Sequence, residues 1–287
     1  MKILLTIVII LIFFNANCFA QVQTDSSAKE LSEVIVSAFE QNRKQSATVT
    51  AVKIIEINNG DRYNKTSLVN GFNTIAGVRM EERSPGSYRI NIRGSSLRSP
   101  FGVRNVKVYW NDIPVTDPGG NTYFNQFAWN NFNYIELLKG PAGSMYGAGT
   151  GGLILMNSLS KRQPGAAIEY VTGSYNLQNL FAEARFGSKE NFNQFTFARN
   201  QTNGYRVQSR MERTNFSWQS QIKFSDKQTL TASVLFTDLF YQTPGALTAA
   251  EFAGNPKAAR PAAGVFPSAE NAKAGINQKN ITTALTN

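Results

Sequence analysis

The sequence predicts a small α/β domain over residues 41–160, followed over residues 161–287 by antiparallel strands of a membrane-spanning β-barrel. Three observations carry this. An uninterrupted apolar run at 3–14 opens the chain in the manner of a secretory leader. A glycine-dense loop at 143–152 joins two short apolar runs, 134–138 and 153–156. Beyond Gly165 the hydrophobic period becomes two, giving each segment one apolar and one polar face.

Residues 1–20 read as a signal peptide: Lys2 supplies the positive start, and Cys18, Phe19 and Ala20 form a small-x-small cleavage site before Gln21. The apolar run falls short of the roughly 20 residues that a transmembrane helix needs. A lipidated Cys18 is the alternative, which Asn15 and Asn17 disfavour. After cleavage the chain has no cysteine, and it has no histidine anywhere, so disulfides, thiol nucleophiles, imidazole bases and the usual zinc sites are excluded. Hydrophobic residues make up 42% and mean hydropathy is −0.26, which argues against a helical membrane protein but suits a barrel whose strands alternate. The net charge of +10 comes from scattered basic residues without a nucleic-acid fold signature, so nucleic acid is not an expected partner.

Residues 21–40 form a flexible N-terminal segment, polar over 21–29. Within it lies a β-favouring island, 31–38, comprising Leu31, Ser32, Glu33, Val34, Ile35, Val36, Ser37 and Ala38. It is either an ordinary first strand or a mobile segment that adds a strand to a partner's sheet edge, expected to stay detached from its own domain. Residues 47–57 read as the domain's opening strand. Residues 67–76 read as a helix, with Leu68, Phe72 and Ile75 on one face and Gly77 as the stop. Strands follow at 78–83, 88–92 and 106–110, separated by Gly-, Pro-, Ser- and Asp-rich loops at 84–87, 95–102 and 114–123. Gly147, Gly149 and Gly152 have the spacing of a dinucleotide fingerprint, but a strand-like run follows where a phosphate-cradling helix is required. Adjacent Glu81 and Glu82 point to opposite faces of a strand and cannot converge as acid and base. No catalytic residue, metal site or cofactor is expected.

In the second region Phe216, Trp218, Ser220, Ile222 and Phe224 share one face, and Asn215, Ser217, Gln219, Gln221 and Lys223 share the other. Leu230, Ala232, Val234 and Phe236 likewise oppose Thr231, Ser233 and Thr237, and Leu180, Ala182, Ala184 and Phe186 oppose Phe181, Glu183 and Arg185. Lipid outside and a polar lumen inside produce this pattern; a soluble β-sandwich is the competing reading. Short turns at 187–191 and 225–228 fall on one side and the long segment 243–273 on the other, as barrel polarity demands. Residues 161–287 have room for about six strands of ~10 residues, and the chain ends in a strand-like stretch without a terminal aromatic, the mark of an N-terminal fragment.

Residues 89–96 (RINIRGSS) and 134–158 (YIELLKGPAGSMYGAGTGGLILMNS) together resemble the two conserved elements of the plug domain in TonB-dependent outer-membrane receptors. The resemblance covers most of 31–158. It implies a plug inside a barrel of about 22 strands, of which only the first six are present here, in the outer membrane of a Gram-negative cell. It also implies energy-coupled import of a scarce nutrient, with TonB gripping 31–38 as a TonB box. Arg93 and Lys139 would lock the plug to barrel carboxylates, Lys139 with a point charge where arginine would offer a fork. Cargo would meet the outward loops at Arg83, Leu97, Arg98, Tyr123 and Phe124. An arginine–aromatic set suits a ferric siderophore or other iron chelate. The ten or so residues between the leader and the box are too few for the extra folded domain that polysaccharide importers of this family often carry. Cobalamin or oligosaccharide import is the alternative within the family. Outside it stand a passive porin or adhesin barrel and a secreted soluble β-rich binding protein.

Overall fold

The computed structural model describes residues 35–36, 38, 43–44, 50–57, 65–95, 103, 105–147, 149–159, 163–225 and 227–286. These fall within one compact unit, Ile35–Asn287. The leader and the first part of the box lie outside the described residues, as do Ser37, Leu97 and Arg98.

Two short strands, β1 (Ile35–Val36) and β2 (Arg43–Lys44), pair antiparallel. The α/β domain is built on a five-stranded sheet of β3 (Val52–Glu56), β6 (Val106–Trp110), β7 (Ile113–Pro114), β8 (Tyr134–Lys139) and β9 (Gly152–Asn157), in the order β3-β8-β9-β6-β7. Only β6 and β9 run parallel. The apolar runs that flank the glycine loop become β8 and β9, adjacent in the sheet and covered on both faces, so they are apolar on both except at buried Glu136 of β8. Ile135, Leu137, Ile154 and Met156 enter the main core; Leu138, Leu153 and Leu155 enter a second, smaller cluster on the opposite face. Gly152 sits at φ +159°, and a Cβ there would lie 2.6 Å from the Leu138 carbonyl oxygen, so no side chain fits where β9 leaves the loop. A strand, not a helix, begins at Gly152, and the glycine loop itself contains a single turn, α2 (Gly143–Tyr146), that the sequence reading missed.

Helix α1 (Val69–Asn73) is shorter than the expected 67–76, although Leu68, Phe72 and Ile75 are all buried as the pattern requires. Its side chains compete with its backbone. Thr74 Oγ1 donates to the Gly71 carbonyl at 2.7 Å, and the Asn73 amide bonds both the N–H and the C=O of Met80. The helix is thereby tied to the hairpin of β4 (Val78–Ser84) and β5 (Ser87–Ile92), whose inner face carries Val78, Met80, Tyr88, Ile90 and Ile92 into the core. Two 3-10 turns, Phe124–Gln126 and Trp129–Asn131, fill the connection to β8 and bury Phe124 and Trp129.

Strands β10 (Gly165–Gly173), β11 (Leu177–Gly187), β12 (Asn191–Thr202), β13 (Met211–Ser225), β14 (Gln228–Gln242) and β15 (Gly275–Thr286) form an antiparallel meander in sequence order. Most exceed the roughly 9–11 residues needed to cross a bilayer. Ile168, Tyr170, Phe197, Phe216, Ile281 and Leu285 are exposed on the outer face, where Phe186 stacks on Phe195 with centroids 5.7 Å apart. The inner face is polar and covered by the α/β domain: Gln194, Thr196, Asn215, Ser217, Gln219, Ser233 and Thr237 are buried. The connections between β11 and β12 and between β13 and β14 lie at one end, and the 203–210 and 243–274 loops at the other. The long loop holds the short helix α3 (Ala249–Gly254), and Arg206 ties it down by donating Nε and Nη2 to the Ala258 carbonyl at 3.0 and 2.8 Å. Among the described residues no helix is long and apolar enough to cross a membrane.

Candidate functional site

The α/β domain meets the sheet through amides and hydroxyls. The Gln126 carbonyl accepts from Asn215 Nδ2 on β13 and Thr237 Oγ1 on β14, both at 2.8 Å, while its side-chain oxygen accepts from Asn280 on β15 at 3.3 Å. Asn125 Nδ2 donates to Gln278, Asn111 Nδ2 to Ser233, and Gln194 Nε2 to the Ser158 carbonyl. Among the described residues Lys65 and Glu169 of β10 form an ion pair across the seam. Most of these seam bonds are neutral and directional.

At the end of the domain near the short turns, the two motif cations come together. The Arg93 guanidinium donates to the Lys139 carbonyl at 3.1 Å, and the Lys139 ammonium donates to the Ala76 carbonyl at 2.6 Å. Arg93 holds φ +51°, a left-handed conformation unfavourable for a side chain, and its N–H is bonded to the Gly77 carbonyl at 2.9 Å. Arg93 remains exposed and Lys139 is half-buried. They clasp the end of the α1 segment, and the sequence reading of a lock to barrel carboxylates concerns a different partner.

The described part of the 31–38 island is not detached from the domain. Ile35 and Val36 pair with Lys44 and Arg43, Val36 and Ala38 are buried in the second apolar cluster, and the Ala38 N–H donates to Glu136 at 3.2 Å. Apolar β-branched residues next to an exposed sheet face find burial there, which outweighs the polar surroundings in sequence.

At the far end stand the outward loops. Arg83 occupies the irregularity between Glu82 and Ser84, just before the β4–β5 turn. Tyr123 is 52% exposed. Phe124 is corrected: it is 1% exposed and packs edge-on against Phe72 with centroids 5.9 Å apart, because the 3-10 turn that begins there rotates it into the core. Two further groups at this end were missed. Glu82 shares the inner face of the hairpin with Tyr88, directly across the strand pair. Desolvation pushes the pKa of its carboxyl up, offset by the Gly86 N–H at 2.8 Å and by the Arg213 charge. Burial pushes the Tyr88 hydroxyl up to about 12, with the Glu82 charge adding and Arg213 opposing. Arg213 could have been found by extending the polar face of β13 by one step before Asn215. Glu81, on the opposite face, pairs with Arg79 at 2.7 Å. Among the described residues no group of three or more His, Cys, Asp or Glu could hold a metal ion.

Residues 42–153 match the model of the TonB-dependent receptor plug domain. The structure is similar to the ferric citrate transporter FecA in its unliganded form, with a TM-score of 0.62 at 17% identity over 80% of this chain and 37% of that one. It is also similar to FpvA of P. aeruginosa bound to heterologous pyoverdines, with a TM-score of 0.61 at 14% identity over 72% of this chain and 28% of that one. A third likeness is to the copper transporter OprC, with a TM-score of 0.54 at 16% identity over 64% of this chain and 30% of that one. The chain thus spans about a third of the length of these proteins. Residues 42–153 thus form a domain that matches the TonB-dependent receptor plug, with its own core, seated on the polar face of an antiparallel sheet whose other face is apolar.

Proposed function

We propose that this chain supplies the plug and opening wall of an energy-coupled outer-membrane importer whose cargo is a ferric siderophore or another iron chelate. The observation that supports this best is the seating of a folded domain on the polar face of a sheet that is apolar outside, an arrangement suited to sealing a wide lumen. FecA and FpvA carry iron chelates by their names, and OprC carries copper, so scarce metals are the shared theme. Arg83, Arg98 and exposed Tyr123 supply charge and ring contact for an anionic chelate. Leu31–Ala38 is the segment that TonB takes. Its grip by strand addition first requires Val36 and Ala38 to leave the second apolar cluster.

Uptake of radiolabelled iron by cells carrying the full-length receptor, with and without TonB, tests this reading. Ile35→Pro removes a backbone donor and blocks strand addition, so uptake is lost while chelate binding persists. Arg98→Glu weakens binding of a ferric chelate more at low salt than at high salt. TonB-independent uptake, or binding of an oligosaccharide or cobalamin with no iron chelate bound, would overturn it.

A further inference from the structure

The register of the wall aligns its six strands row by row, and one row on the outer face stands apart. Tyr170, Leu180, Arg199, Thr214, Asp238 and Lys279 lie side by side across β10 to β15. The next row towards the short turns is Ile168, Ala182, Phe197, Phe216, Phe236 and Ile281, which is wholly apolar. From Thr214 to Phe224 the chain advances ten residues along β13. At ~3.3 Å per residue and a tilt of ~40°, that is about 25 Å, the height of the apolar band of a membrane barrel. The row with Arg199 therefore marks the edge of the membrane on the side of the long loop. Charge obeys the same line. Among the described residues, the charged outer-face positions of the six strands are Arg199, Asp238 and Lys279 in this row and Glu212 in the row beyond it. The opposite edge, beside the short turns, carries none.

Three of these four charges are matched within the protein: Lys279 pairs with Asp238 at 3.4 Å, and Glu212 with Arg210. Arg199 is exposed and, among the described residues, has no ionic or hydrogen-bonding partner. Leu180 and Thr214 flank it across the strands, and Phe197 precedes it on the same face, so its stem starts from apolar surface and its fork extends towards the headgroups. A planar, unmatched guanidinium at that level suits a phosphate, which it can hold through two parallel bonds. We propose that Arg199 seats the phosphate of a phosphorylated glycolipid of the outer leaflet on the outside of the wall. Exposed Ile168, Phe197 and Phe216 in the row below offer contact for its acyl chains, and exposed Tyr170 stands at headgroup level, where amphipathic rings belong. A lipid uses both the charge and the apolar row; a soluble anion uses only the charge. The site faces away from the lumen, so it goes beyond the importer reading and does not depend on what the cargo is.

The test is native mass spectrometry of the detergent-purified full-length receptor titrated with diphosphorylated lipid A, dephosphorylated lipid A and inorganic phosphate, comparing wild type with Arg199→Gln, Arg199→Lys and Lys279→Gln. Wild type should bind the phosphorylated lipid about tenfold more tightly than the dephosphorylated one. Arg199→Gln should lose that preference, and Arg199→Lys should keep part of it, having the charge without the fork. Lys279→Gln should change it less, because Asp238 already matches that charge. Binding of the dephosphorylated lipid, unchanged in Arg199→Gln, shows that the variant wall is still folded. A wild type without the preference, or an Arg199→Gln variant that retains it, overturns the site. Inorganic phosphate that displaces the lipid at equal concentration makes Arg199 a soluble-anion site and overturns the lipid assignment. Iron-chelate binding and TonB dependence should be indifferent to Arg199→Gln, so failure of the importer reading and failure of the lipid site are read from separate measurements.

Discussion

Tyr88 ties the packing of the plug to its behaviour in alkali. Its hydroxyl ionises near 10 in an unfolded chain and is pushed up to about 12 in the native one, chiefly by burial at 6% exposure. The native state therefore holds its proton more tightly. The resulting stability is fully present below pH 10 and is lost as pH rises through 12. The wild-type plug should lose about 2–3 kcal/mol more than Tyr88→Phe between those limits, read from denaturant midpoints at each pH. Gly71 shows a steric requirement at the same scale. A Cβ there would fall 2.1 Å from Cη2 of Trp129, a side chain that is 1% exposed and has no room to retreat. Although alanine favours helices, Gly71→Ala should destabilise the plug by about 1–3 kcal/mol in thermal unfolding.

Among the elements, the wall strands illustrate how depth in the membrane sets the cost of a substitution. Phe216 lies mid-strand on the outer face, in ring contact with Phe195 at 6.2 Å, whereas Phe224 lies at the end of β13. Phe216→Lys should cost about 2–4 kcal/mol of barrel stability and Phe224→Lys about 0–1, measured by urea unfolding of the full-length receptor in vesicles. Equal costs would place the apolar band elsewhere. Strand β9 shows the opposite environment: it is covered on both faces and feeds two apolar clusters, so neither of its faces tolerates charge.

At the scale of the molecule, plug and wall differ in self-sufficiency. The main core is made of plug residues apart from Leu235, which the wall contributes from β14. Among the described residues the wall's own inner face is polar with no comparable core, and β10 and β15 each leave one edge unpaired. Residues 41–159 alone should therefore be soluble and melt cooperatively, while residues 165–287 alone should aggregate; size-exclusion chromatography distinguishes the two. A well-dispersed wall segment would count against its reading as membrane strands.

Local pattern determined much of this protein by itself. The six wall strands and the faces of 180–186, 215–224 and 230–237 follow from a period of two, because alternation is a property of consecutive residues and needs no knowledge of distant ones. The buried triad Leu68, Phe72 and Ile75 was legible for the same reason, as were strands β3, β4, β5 and β6 and the strand-like run that is β9. Tertiary structure decided what depends on partners remote in the chain. It shortened α1, because Asn73 prefers Met80 to its own helix. It turned Phe124 inward onto Phe72, and it drew Val36 and Ala38 onto a cluster built from residues about a hundred positions away. It also brought Arg213 up to Tyr88 and set Gln126 among Asn215, Thr237 and Asn280. No sequence periodicity encodes those pairings. They arise only when a plug with its own core is laid against a polar wall, where each buried polar group must find whatever partner the seam offers.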